Sequence, residues 1–270
     1  MFRASVLGVV QGVTEFVPIS SSGHLLLVPF LLGWEVPDLA FDVALHLGTA
    51  LAVLAYFRRE IGGMLLGLFR TAVRRADGKD RGMAKLAGLI VVGTVPAALA
   101  GLLLERFVSG LAERPEVAAV LLFVTAGLLL AAERYYSRRG TEARDISRVR
   151  FGDAAVMGFF QALALAPGIS RAGSTIAGGI FRGLARDAAA RFSMLLALPA
   201  ILGAGILQLP DIPPGIPVGT VVVATTVSAV TGFLAIAFLL RYLRTRDMRP
   251  FAYYSALFGA VALGYWFQVK

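Results

Sequence analysis

The chain has 270 residues, 57% of them hydrophobic and 16% charged, with a mean hydropathy of +0.76 and a formal net charge of +9. Soluble chains carry about 25% charge, so a water-facing enzyme is excluded, as is disorder, which requires low hydrophobicity. Cysteine is absent and there are two histidines, which excludes a disulfide framework, a thiolate nucleophile, Cys-ligated zinc and a multi-histidine metal site.

The first apolar region, Ser5 to Phe30, is interrupted by Gln11, Glu15, Pro18, Ser20, Ser21, Ser22, Gly23 and His24. Arg3 precedes only a brief apolar run before Gln11, so the region reads as part of the mature fold and not as a cleaved signal peptide. Pro and Gly free backbone groups that, at membrane depth, only protein or a watered cavity can satisfy. A re-entrant hairpin of two half-helices is therefore expected. Three stretches of spanning length follow, Leu39 to Phe57, Leu86 to Leu104 and Val117 to Ala132, because about 20 apolar residues cross a hydrocarbon core about 30 Å thick. Ile61 to Phe69 is too short to cross and is expected at the interface. Ala154 to Phe181 repeats the broken pattern, with Pro167, Gly168, Ser170, Arg171, Gly173, Ser174 and Thr175 as its interruptions. Spans at Ala188 to Leu207, Ile216 to Leu240 and Phe251 to Phe267 come after it. The expected fold is an all-α polytopic membrane protein of six transmembrane helices plus two re-entrant helical hairpins.

Charge gives the orientation. Eight, six, three and four Lys or Arg fall in 58–85, 134–150, 182–191 and 241–249, while Arg3, Arg106, Arg114 and Lys270 fall on the opposite side and Arg171 in the second hairpin. This grouping between apolar stretches is the mark of membrane orientation, not of a nucleic-acid surface, and puts the rich side in the cytoplasm. It holds only if both broken segments return to the side they entered. Trp34 and Trp266 then lie at the outer interface, and Tyr56, Tyr135 and Tyr242 near the inner one.

A shift of 150 residues superposes Gly8 on Gly158, Gln11 on Gln161, Ile19 on Ile169, Ser20 on Ser170 and Gly23 on Gly173. Each half, 1–132 and 151–270, is a hairpin followed by three spans of opposite orientation. That is an inverted-topology repeat within one membrane domain, and it brings the two tips together near the midplane.

Gln11 and Glu15 are four apart, on one helix face, and a carboxylate in a membrane is a functional hypothesis by default. Ser20, Ser21, Ser22, Gly23 and His24 place hydroxyls and an imidazole at a chain break, where a serine also serves as a helix cap. Arg171 offers a planar fork of donors beside a helix start, a setting suited to phosphate oxygens. Asp42 and His46 share a face of the first full span. An acid, a base, hydroxyls and an anion clamp inside the bilayer fit a phosphorylated lipid.

The stretches Gln11-Gly-Val-Thr-Glu15-Phe-Val-Pro-Ile-Ser20-Ser-Ser-Gly-His24 and Pro167-Gly-Ile-Ser170-Arg171-Ala-Gly-Ser-Thr175, with Phe41-Asp42 and His46-Leu-Gly between them, closely resemble the signatures of the BacA-type undecaprenyl diphosphate phosphatases of bacteria. The resemblance spans essentially the whole chain. It implies hydrolysis of undecaprenyl diphosphate to the monophosphate and inorganic phosphate on the outer, periplasmic face of the bacterial cytoplasmic membrane. That reaction recycles the carrier lipid for peptidoglycan synthesis and is linked to bacitracin resistance. It also implies a divalent cation, Mg²⁺ or Ca²⁺, with Glu15 and Gln11 as its ligands. The partners are the diphosphate lipid and membrane lipid, with no nucleic acid; a homodimer is left open. Two positions depart from the pattern: Gln11 stands where Glu is frequent, and Asp42 where Glu is more usual.

On this basis the catalytic residues are Glu15, Ser21, His24 and Arg171, and the phosphate is held by Ser20, Ser22, Ser170, Arg171, Gly173, Ser174 and Thr175. Ser21 is expected to attack phosphorus with His24 as its base; direct attack by water and attack by His24 itself are alternatives. A competing function is transport or flipping of the lipid phosphate, since inverted repeats with broken helices characterise transporters. A PAP2-type phosphatase is disfavoured: no His-x-x-x-Asp element follows Arg171, and neither histidine lies in the second half.

Overall fold

The computed structural model describes residues 1–35, 39–112, 114–139, 143–208 and 217–269. Ile216 and Lys270 lie outside the described residues, as does the side chain of Arg106. Among the described residues every regular element is helical, apart from an isolated backbone bridge between Arg144 and Leu184.

The first apolar region forms α1 (Phe2–Phe16) and α2 (Ser21–Leu32), parted by an extended Val17 and by Ser20 in the left-handed region at φ 74°. Pro18 removes a backbone donor there and biases Val17 away from helix. The pair folds back on itself. Arg3, at the start of α1, lies 5.4 Å over the ring of Trp34, just past the end of α2. Gly33, at φ 62°, ends α2 in the left-handed conformation that glycine adopts without penalty.

α3 (Leu39–Tyr56) turns by 75° at the buried Phe57 into α4 (Arg58–Ala72), a bend placed where three charged residues follow an apolar run. α5 (Gly78–Ala112) starts on a reciprocal cap: Asp77 Oδ1 accepts from the Asp80 N–H at 2.7 Å and Asp80 Oδ2 from the Asp77 N–H at 3.3 Å. Accepting the Asp80 N–H holds the Asp77 carboxyl below its usual range. α6 (Pro115–Arg139) runs seven residues past Ala132, the end of the apolar stretch.

A single 3₁₀ turn (Ile146–Arg148) leads into the second broken pair, α7 (Phe151–Leu163) and α8 (Arg171–Phe181). Its ends also meet. Arg182, following α8, binds the buried Asp153 of α7 through Nε at 3.0 Å, and Arg144 binds the same carboxylate at 2.6 Å. α9 (Arg186–Gln208), α10 (Val218–Tyr242) and α11 (Arg249–Val269) follow.

Gly78–Leu104 of α5, together with α6, α9 and α10, is long and apolar enough to cross a membrane; α3 reaches that standard only jointly with α4. α11 is 21 residues long, but its three tyrosines, serine and glutamine lower its hydropathy. The exterior is apolar: Leu102 is 58% and Leu103 81% exposed, an arrangement stable against lipid tails and not against water.

The helices pack in corresponding pairs. α1 lies on α10, and α7 lies on α5. A Cβ on Gly8 would meet Val227 and Ala224 of α10, and one on Gly158 would meet the backbone of Gly93 in α5. The core gathers around the broken pairs, with Phe16, Leu27, Leu129, Met157, Ile176 and Phe192 fully buried.

Candidate active site

The two breaks touch. Gly168, at φ 95°, brings its Cα within 3.2 Å of where a Cβ on Gly23 would stand, so a side chain there would press on the second tip, while a Cβ on Gly168 would run into the Ala118 carbonyl of α6. Thr125 of α6 fixes the second tip: its hydroxyl donates to the Gly168 carbonyl at 2.8 Å and accepts from the Ser170 N–H at 2.9 Å. Each half-helix then begins on a serine cap. Ser20 Oγ accepts from Gly23 N–H at 3.3 Å, and Ser170 Oγ from Gly173 N–H at 3.0 Å.

The buried Glu15 carboxylate is the centre. Arg171 Nη2 donates to Oε1 at 2.6 Å, Ser21 Oγ donates to Oε2 at 2.6 Å, and Gln11 Nε2 donates to the same oxygen at 3.1 Å. His46 Nε2 stands 4.0 Å from Oε2, so α3 also contributes. Arg171 Nη1 donates to the Ser193 carbonyl of α9 at 3.2 Å. A guanidinium has five N–H donors; with these two bonds made, it retains donors for an incoming anion. Ser22 is exposed and Ser21 and His46 are half-buried, which defines the open side of the cluster.

Several residues stand differently from what the sequence suggested. His24 is not positioned as the base for Ser21. Its Nδ1 is bonded to the Ser20 carbonyl at 2.7 Å and its Nε2 to the Tyr254 hydroxyl at 2.9 Å. The carbonyl can only accept, so Nδ1 carries the proton and Nε2 accepts from tyrosine. The group that receives the Ser21 hydrogen bond is Glu15. Ser20 and Ser170 are engaged as caps; a 3.3 Å contact joins Ser20 Oγ to Ser22 Oγ. Gly173, Ser174 and Thr175 are buried, and Thr175 is held by the Arg171 carbonyl at 2.8 Å and Ser193 Oγ at 2.5 Å. They buttress Arg171 instead of lining the opening.

Three contributors had no clear signal in the sequence. Thr125 and Ser193 are polar residues on apolar helices, and Tyr254 is one of three tyrosines on α11. Tyr254 and Phe258 of α11 present parallel rings to His24, with the His24 and Phe258 centroids 4.3 Å apart.

A divalent cation takes oxygen ligands, and Mg²⁺ typically uses one or two carboxylates together with substrate phosphates and water. The donor set fits that use. Gln11 Oε1 is buried with no hydrogen-bond partner beside Glu15, and Asp42 Oδ1 is likewise unpartnered. Among the described residues no group of three His, Asp or Glu could cage a metal by itself.

An apolar-surfaced helical protein whose buried carboxylate, guanidinium and hydroxyl meet at two broken helices defines a membrane protein with an anion-oriented polar centre. The description "Bacitracin resistance protein BacA" matches residues 4–261, and the chain belongs to that family. The undecaprenyl-diphosphatase of Synechococcus elongatus is 44% identical over 270 residues, covering 97% of this chain and 92% of that protein. Those of Desulforudis audaxviator and Geobacter sulfurreducens are 43% and 42% identical; they cover 97% and 99% of this chain and 96% and 98% of their own.

Proposed function

We propose that this protein is a membrane phosphatase that hydrolyses undecaprenyl diphosphate to undecaprenyl phosphate and inorganic phosphate. The observation that carries the reading is the Glu15–Ser21–Arg171 cluster: a hydroxyl donating to a carboxylate, with a guanidinium 2.6 Å from the other carboxylate oxygen.

In this reading Arg171 and the open N–H groups at the starts of α2 and α8 hold the diphosphate; a helix N-terminus favours anions. Ser21 Oγ attacks the terminal phosphorus while Glu15 accepts its proton. A new P–O bond forms, the anhydride P–O bond breaks, and the lipid monophosphate leaves. Water then cleaves the phosphoserine and releases phosphate. His24, in its Nδ1–H tautomer, orients the first turn of α2 through Ser20. Glu15 and Gln11 would hold a divalent cation, Mg²⁺ or Ca²⁺, which when bound neutralises charge on the phosphates.

We also assign the site to the face opposite the Lys/Arg-rich loops. His46 lies ten residues before the Tyr56 end of α3, about 15 Å along the helix from the first Lys/Arg-rich segment. The folded-back ends of α1–α2 and α7–α8 support two re-entrant hairpins, and the packing of α1 on α10 and of α7 on α5 supports an inverted repeat of 1–132 and 151–270. Placed so, the enzyme would recycle the carrier lipid of cell-wall synthesis outside the cytoplasmic membrane and confer bacitracin resistance.

The test is phosphate release by purified protein in detergent with undecaprenyl diphosphate. Turnover lost on EDTA treatment and restored by Mg²⁺ or Ca²⁺ is the expected result. Absence of phosphate release, with lipid translocation in vesicles, would establish a transporter instead.

A further inference from the structure

At the Lys/Arg-rich end, a cavity of about 1030 Å³ lined by none of the Glu15 cluster opens among Tyr56, Arg191, Arg241 and Arg244, with Asp145 and Asp187 on its wall. The charges are not mutually satisfied. Asp145 Oδ1 accepts from the Ser147 N–H at 3.1 Å, and Asp187 sits in the first turn of α9, where a carboxylate complements the helix dipole. Arg191 pairs with Glu60 at 2.7 Å. Arg241 and Arg244, at the end of α10, are exposed and make no ion pair among the described residues.

Directly beyond this cavity, the same two helices form an apolar groove of about 330 Å³ between Leu51 and Ala55 of α3 and Val230 and Phe233 of α10. Ala55 adjoins Tyr56, and Ala237 of the cavity lies one helical turn after Phe233. Groove and cavity therefore form one track, with an apolar wall that ends in two unpaired guanidiniums.

We infer that this track binds one anionic phospholipid of the adjoining leaflet, an acyl chain along the groove and the phosphate on Arg241 and Arg244. The occupant follows from the two halves together. A free anion gains nothing from the groove, and a zwitterionic lipid leaves the guanidinium pair unneutralised. Each basic residue near a lipid surface strengthens anionic binding by a modest factor, and two act together.

The experiment uses delipidated full-length protein titrated with phosphatidylglycerol and, separately, phosphatidylcholine, with bound lipid counted by native mass spectrometry. One retained phosphatidylglycerol per chain is expected, with binding about 20- to 30-fold weaker in the Arg241→Gln/Arg244→Gln variant. Ala229→Phe, which fills the groove without touching the arginines, should also weaken retention; melting temperature in detergent reports whether each variant folds. Equal retention of phosphatidylcholine, wild-type retention by the arginine variant, or displacement of phosphatidylglycerol by millimolar inorganic phosphate would each overturn the assignment.

Discussion

At the scale of single residues, the cluster works through the sharing of one carboxylate. Glu15 receives Arg171, Ser21 and Gln11 at once, so its loss should have two effects. Glu15→Gln leaves a guanidinium facing a neutral amide and removes the acceptor of the Ser21 proton; phosphate release should fall by about 10² to 10⁴-fold, the range for a lost general base. Ser21→Ala should lower turnover at least as far while retaining lipid binding. Full activity in that variant would exclude the serine route and leave water as the attacking group. Tyr254→Phe tests the tautomer: it keeps the ring stack on His24 but removes the 2.9 Å bond to Nε2, a loss of about 1 kcal/mol. The ¹⁵N shifts of His24, read in a His46→Gln background, should then change while the fold persists. Much of this cluster was legible because Glu15, the serine run and Arg171 interrupt apolar segments, where a polar residue needs a reason. Tyr254 was not legible: its partner is 230 residues away, and a tyrosine near a helix end has ordinary interfacial explanations. Adjacency in sequence favoured His24 as the base for Ser21, whereas the fold-back at Pro18 brings the Ser21 hydroxyl to Glu15 at 2.6 Å and both His24 nitrogens are bonded elsewhere.

At the scale of elements, the breaks follow from local chemistry and the approach of helices from glycine. Pro18 and the left-handed Ser20 part α1 from α2, which starts on a serine cap; the serine cap recurs at the extended Ser170, where the left-handed residue is Gly168. Where helices cross closely, no side chain fits. Gly158 meets the Gly93 backbone, whereas Gly101 of α5 has nothing within 4 Å of a Cβ. Gly158→Leu should therefore push α7 off α5 at a cost of about 1 to 3 kcal/mol or more, read as a lower melting temperature in detergent. Gly101→Leu should be neutral or stabilising, since leucine is the better helix former by several tenths of a kcal/mol. Equal melting temperatures for the two variants would mean that close packing at Gly158 does not limit the fold. The sequence located the broken helices to within a few residues, because Pro, Gly and Ser announce a break. It ended the span at Phe57 and set Ile61 to Phe69 apart from it, but did not foresee the angle of 75° between them: an apolar run gives the length of a helix, whereas its direction depends on what packs against Phe57, which includes Arg191 of α9 at 5.6 Å.

At the scale of the whole molecule, orientation is the property that connects fold to function. The charge asymmetry was readable because short basic loops are retained on one side of a membrane. The meeting of the tips was an inference from repeat symmetry, and the distances between Glu15 and Arg171 now give it a physical form. Orientation also decides which compartment reaches the site. Ser22, exposed beside the cluster, and Ser147, exposed in the 3₁₀ turn at the Lys/Arg-rich end, should face opposite compartments. Because the chain has no cysteine, Ser22→Cys and Ser147→Cys each introduce a single reporter without a background to remove. In intact spheroplasts a membrane-impermeant maleimide should label the first and spare the second; in inverted vesicles the pattern should reverse. Labelling of both from one face would mean that the first broken pair does not return to its side of entry, and the carboxylate cluster would then open where the basic loops lie. The opposed pattern would place the Glu15 cluster within reach of a diphosphate arriving from outside, with the arginines of α10 turned to the other leaflet.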